Sequence, residues 1–210
     1  MKSLFNLDST FMQMLTRIGD FIIINFLCLV CCLPIITAGA AISATHRLMQ
    51  DFVMENEGSI FKTFFRAFKE NFKQATIVWM VFLVIAVALT ANLIITYLFF
   101  SDILQSVFYV LLAVVALIVC AIVLYMFPLL TRYRNTLKET LRNAMVLMIV
   151  HPHRTLGMLL LHALPIIIIW LSFNVFLQTL IFWLFVGISF IIYMDNVILK
   201  GMFKQLEANN

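Results

Sequence analysis

The chain has 210 residues, 64% of them hydrophobic and only 11% charged, with a mean hydropathy of +1.07. A soluble domain is about half apolar and about a quarter charged, so the composition excludes an ordinary soluble enzyme or binding module and predicts one all-α domain, a polytopic transmembrane helix bundle. The net charge of +4 does not read as a nucleic-acid footprint, because the basic residues fall in loops between apolar runs.

Five segments meet or approach the roughly 20 apolar residues that a span needs: 18–37, 75–100, 103–130, 155–172 and 175–198. The first ends in "CLPIITAGAA", Cys32 to Ala41. Pro34 is expected to bend the helix, Thr37 to bond locally, and the small residues after it to admit a close neighbour. Arg17, the apolar run and Ala38-Gly39-Ala40 mimic a secretory signal, but the apolar run continues past that site, so the segment is read as a retained span. Cys28, Cys31, Cys32 and Cys120 lie inside apolar runs and read as small apolar side chains rather than redox or metal ligands.

After the first span, "SIFKTFFRAFKENFKQ" (59–74) places Phe61, Phe64, Phe65, Phe68 and Phe72 on one helical face and Lys62, Arg66, Lys69 and Lys73 on another. It predicts an amphipathic helix lying in the headgroup plane before the second span begins. The second and third spans are joined at Ser101-Asp102, and the third ends "FPLLT", echoing "LPIIT" at the end of the first. A second amphipathic helix is expected over 132–150, where Leu137, Leu141, Ala144, Met145 and Met148 oppose Lys138, Glu139 and Arg142, and Pro152 stops it. The fourth and fifth spans meet in a tight hairpin at Ser172 to Asn174.

Charge sets the expected topology. Apart from Lys2 and Arg17, every Lys and Arg lies in 45–74, in 131–154 or after the last span, and neither short hairpin holds one. Basic loops stay inside, which puts both long loops and the C-terminus in the cytoplasm and makes this a multi-pass protein of the cell membrane. Five spans would place the N-terminus outside; the alternative makes 18–44 re-entrant, with both termini inside.

Intramembrane polar residues are the candidate site. Asn92, His162 and Asp195 are the main ones, with Asp20, Asn25 and Asn196 beside them. Asp195 is expected to pair with a loop arginine, and His162 to be a neutral interhelical hydrogen-bonding residue. His151 and His153 flank Pro152, too few ligands for a metal. No nucleophile elbow, P-loop or catalytic triad pattern is present, so no catalytic, cofactor or metal residue is assigned and the chain is not read as an enzyme.

Three stretches carry a family resemblance: "LFNLDSTFMQMLTRIGDFIIINFLCLVCCLPIITAGAA", "FFRAFKENFKQAT" followed by Trp79, and "TLRNAMVLMIVHPHRTL". Together they resemble the YesL family of small integral membrane proteins of Gram-positive bacteria. The resemblance implies no catalytic residues and no cofactor; its members are often encoded near carbohydrate-uptake genes. The expected function is therefore a non-catalytic accessory component linked to carbohydrate uptake or utilisation. Its partners would be the lipid bilayer and a carbohydrate transport system or a second copy of itself. Arg66, Lys69, Arg134 and Lys138 are the expected cytoplasmic contacts. The alternative is a small transporter or channel, acting as an oligomer.

Overall fold

The computed structural model describes residues 10–56 and 58–208, and among these the chain is helical throughout, with no strand. In chain order the helices are α1 (Thr10–Cys32), α2 (Ala38–Val53), α3 (Ile60–Phe99), α4 (Asp102–Arg132), α5 (Leu137–Val150), α6 (Pro152–Leu171), α7 (Phe173–Phe182) and α8 (Ile188–Ala208). A 3₁₀ turn, Ile35–Thr37, precedes α2, and a π-helical turn, Trp183–Gly187, joins α7 to α8. Five helical stretches are long and apolar enough to cross a membrane: α1, α3, α4, α6 and the continuous α7–α8.

Ring contacts and hydrogen bonds fix the helix directions. Phe21 of α1 packs on Phe52 of α2 and on Tyr193 of α8, with centroids 6.1 and 5.2 Å apart. Arg17 lies over the Phe52 ring at 5.2 Å. The middle of α1 therefore sits beside the end of α2 and α1 runs antiparallel to α2; with Phe21 on Tyr193 and Asn25 on Ser189, it also runs against the direction of α8. Trp79 Nε1 of α3 donates to the Ile35 carbonyl at the tip of this α1–α2 hairpin (2.8 Å). From Trp79, α3 continues another twenty residues to Phe99, about 30 Å of helix. The tip thus stops well short of the far end of α3. The first segment is thus a helical hairpin, with the first turns of α1, the end of α2 and the end of α8 towards one end of the molecule. That end carries the Lys and Arg residues of the loops and is called here the basic end; the opposite one, with the turns at 100–101 and 172, is the hairpin end.

The proline explains the turn. α1 ends at Cys32, two residues before Pro34, which cannot donate to a helix ladder. Thr37 Oγ1 closes the turn against the Cys31 and Pro34 carbonyls (2.6 and 2.9 Å). The small residues then do as expected. A Cβ on Gly39 would collide with the Ala75 carbonyl and lie 2.6 Å from Trp79 Cβ, so only glycine lets α2 approach α3 this closely. In "FPLLT" the same chemistry has a different outcome. Pro128 sits inside α4, which runs on to Arg132, while Thr131 Oγ1 donates to the Pro128 carbonyl (3.0 Å).

Two expectations for the amphipathic segments are corrected. Segment 59–74 is no separate interfacial helix: nothing between Ile60 and Phe99 is Gly or Pro, and the helix runs unbroken for 40 residues. Nor does its phenylalanine face all point outward. Phe64 is fully buried in the cluster formed with Leu48, Met49 and Ile192, whereas Phe61, Phe65 and Phe72 are exposed. The second segment begins later than 132. α4 includes Arg132, residues 133–136 link, and α5 starts at a capping box in which Thr136 and Glu139 bond reciprocally.

The core lies at the basic end. α2 is its axis: twelve of its sixteen residues are buried, against α1, α3, α4 and α8.

Candidate functional site

Buried polar side chains gather where α1, α2, α6 and α8 meet. His46 (α2), Asn196 and Asp195 (α8) are at most 4% exposed. Asn196 Nδ2 donates to the Ile192 carbonyl (2.7 Å) and lies 3.1 Å from His46 Nδ1. An amide nitrogen only donates, so His46 Nδ1 is the bare acceptor and the ring is neutral, its proton on Nε2. The ring also stacks against Phe127 of α4.

Beside this pair, His162 of α6 faces Asp195 with Nε2 to Oδ2 at 3.6 Å. His162 Nδ1 lies 3.0 Å from the Met158 carbonyl, an acceptor, so Nδ1 carries a proton. In a neutral ring Nε2 is then bare and would face a carboxylate, acceptor against acceptor. Both Asp195 oxygens are buried with no hydrogen-bond donor. A buried carboxylate in that position is strongly unfavourable unless neutralised. One further proton on the pair, on either partner, removes the conflict. The expected loop-arginine partner for Asp195 is thus replaced by His162, because α8 turns Asp195 inward towards α6 rather than towards a loop.

A second buried group holds the π turn. Such a turn breaks the normal ladder and leaves carbonyls without partners. Asn25 of α1 donates through Nδ2 to the Leu184 carbonyl (2.6 Å) and, at a longer 3.4 Å, to that of Trp183. Its Oδ1 accepts from the Ser189 backbone N–H and hydroxyl (2.9 and 3.2 Å). Two further ties close the basic end: Gln50 Nε2 donates to the Pro128 carbonyl (2.8 Å), and the Tyr125 hydroxyl pairs with Thr155 Oγ1 (3.0 Å).

Asn92, in contrast, is exposed on α3 and donates only to the Ala88 carbonyl of its own helix (2.8 Å), far from the His162–Asp195 pair. The four candidate contacts divide as well. Arg66 and Arg134 line one groove of about 800 Å³ at the basic end, together with Arg47, Glu70, Lys73 and Arg132. Lys69 and Lys138 are exposed outside it. His46 and Gln50 were not legible as site residues, since "THRLMQD" reads as the start of a polar loop. The pattern that reveals α2 is Ala41, Ala44, Thr45, Leu48, Met49 and Phe52 at helical spacing, a faint signal because three of the six are small. His151 and His153 pack edge to face at 6.2 Å, and among the described residues no three His, Cys, Asp or Glu side chains form a metal-holding group.

Helices of this length and apolarity, packed around a polar-cored basic end, define a multi-pass α-helical membrane protein. Residues 21–93, about a third of the chain, match the model of a family described as a protein of unknown function, DUF624. The match covers the second half of α1, all of α2 and most of α3, the stretch that contains the α1–α2 hairpin and its glycine contact. No curated protein and no solved structure matches the chain.

Proposed function

We propose that this is a non-catalytic component of a cell membrane that works by contact through its basic end, with that end and the C-terminus in the cytoplasm, in support of a carbohydrate-uptake system. One observation carries the contact reading: the basic end has a groove lined by cations from several elements, while towards the hairpin end, among the described residues, side-chain hydrogen bonds stay within single helices. There, Thr90, Asn92, Ser106 and Thr179 bond to carbonyls of their own helices, and Gln105 bonds to Tyr109 one turn on. A self-contained transport path needs polar groups that meet between helices. The carbohydrate link comes from the YesL resemblance alone, and so does the Gram-positive setting. Deleting the gene should slow uptake of one oligosaccharide without changing the enzymes that degrade it; unchanged growth on every carbohydrate removes the link.

A second reading, a small proton-coupled transporter, is favoured by the His162–Asp195 pair, whose geometry calls for an exchangeable proton. Saturable, pH-driven flux of a sugar or ion by the purified protein in liposomes would replace the contact reading with this one.

A further inference from the structure

We propose that the groove at the basic end is a binding site for a phosphate monoester group, borne by a soluble metabolite or by a lipid headgroup. The groove forms where the polar face of α3, just before the helix turns wholly apolar, meets the link between α4 and α5. Gln74 Nε2 clips the two walls together at the Asn135 carbonyl (3.4 Å). Its volume, about 800 Å³, suits a small-molecule ligand.

The charges on its lining are not equivalent. Arg47 pairs with Asp51 at 3.3 Å, and Arg132 pairs with Glu207 at 2.7 Å while lying over the Phe203 ring. Those two cations are already matched. Arg66, Lys73 and Arg134 make no ion pair among the described residues, and Glu70 is the one acid on the lining. Three cations less one carboxylate leave a charge of +2, which matches a phosphate monoester near neutral pH, about −1.5 to −2. Two of the three are arginines, whose planar fork matches a pair of phosphate oxygens. They also arrive from different elements, Arg66 and Lys73 from α3 and Arg134 from the link. These three line one cavity, and Lys62, Lys69, Lys138 and Arg142 lie outside it. The inference needs only that the basic end be open to water, so it stands or falls separately from the carbohydrate link.

The test uses the full chain in phosphatidylcholine nanodiscs, titrated calorimetrically with inorganic phosphate and with glycerol 3-phosphate. Saturable one-site binding is expected. The double substitution Arg66→Gln/Arg134→Gln should weaken it by about tenfold or more, since a charge-assisted hydrogen bond contributes about 1.5–3 kcal/mol. Lys69→Gln/Lys138→Gln, an equal change in net charge outside the groove, should change it by less than about twofold. All four side chains are exposed, and helical circular dichroism with an unchanged melting curve confirms that each variant is folded. Nanodiscs containing phosphatidic acid separate the sources. Competition with soluble phosphate assigns the site to a headgroup, and undiminished binding assigns it to a metabolite. Absence of binding to folded wild-type protein from either source, or equal weakening by the two double variants, overturns the proposal.

Discussion

The two ends of α4 are made differently. From Asp102 to Cys120 none of its residues is buried; between Ala121 and Leu130 seven are. α3 shows the same division, with Thr63, Phe64, Ala67, Ala75 and Val78 buried towards the basic end and only Thr96 beyond. The more apolar half of each helix is thus the less packed. Lipid is as good a solvent for Leu and Val as a neighbouring helix is, so apolarity alone does not bring helices together in a membrane. Small residues and hydrogen bonds between helices do, and these are made by Gly39, Asn25, Gln50, Thr155 and Asn196.

Substitutions at the two ends should therefore differ sharply. The largest effect is expected at Gly39. Gly39→Val puts branched carbon where the Ala75 carbonyl and Trp79 Cβ already stand, and overpacking of about 3 kcal/mol or more should follow. Denaturant unfolding in detergent should show a large drop in midpoint, and a midpoint equal to wild type would mean that α2 does not approach α3 as described. Next comes Asn25→Leu, which leaves the Leu184 carbonyl and the Ser189 N–H without their partner. A loss of about 2–3 kcal/mol is expected, with the π turn shown by hydrogen exchange to be the first part to open.

A smaller effect belongs to the cap of α5. Thr136→Ala removes one side of the capping box, worth about 1 kcal/mol. The Thr136 backbone N–H, followed by its hydroxyl, holds the Glu139 carboxyl below its ordinary range. A carboxyl so lowered stabilises the folded state above its unfolded pKa, and the contribution is lost as pH falls through the folded value. The stability difference between wild type and Glu139→Gln should therefore shrink on acidification below about pH 4; a difference that grew on acidification would contradict the cap. Smallest of all is Asn92→Leu. Asn92 bonds only within its own exposed helix turn, and a change within about 0.5 kcal/mol is expected. A loss as large as that of Asn25→Leu would erase the distinction between the two ends.

The membrane class, the two tight hairpins and the stop at Pro152 were legible because each rests on a local signal: run length, charge placement or a missing N–H. The thread "T-x-x-E" at Thr136–Glu139 was equally readable and marks the true start of α5. Less legible was whatever depends on a neighbour. The 59–74 periodicity correctly showed a helix, but its Phe face looked lipid-facing because nothing local reveals that α2 lies against Phe64. Asp195 could be flagged as intramembrane and polar, yet its partner is set by how α6 and α8 cross, which places His162 beside it. His46 was hidden for the same reason: its neighbours in sequence read as a solvated loop, whereas in space it is buried against Asn196 and Phe127.

The central claim is that the first apolar segment turns back at Pro34, so that the start of α1 and the end of α2 lie at the basic end. In a variant without native cysteines, single cysteines at Met14, Glu55, Lys204 and Asp102 can be labelled with an impermeant thiol reagent from either side of oriented membrane vesicles. All four positions are exposed or lie at a terminus of their helices. The account predicts that Met14, Glu55 and Lys204 react from one side and Asp102 from the other. Reaction of Met14 from the same side as Asp102 would show that α1 crosses the membrane and would contradict the account.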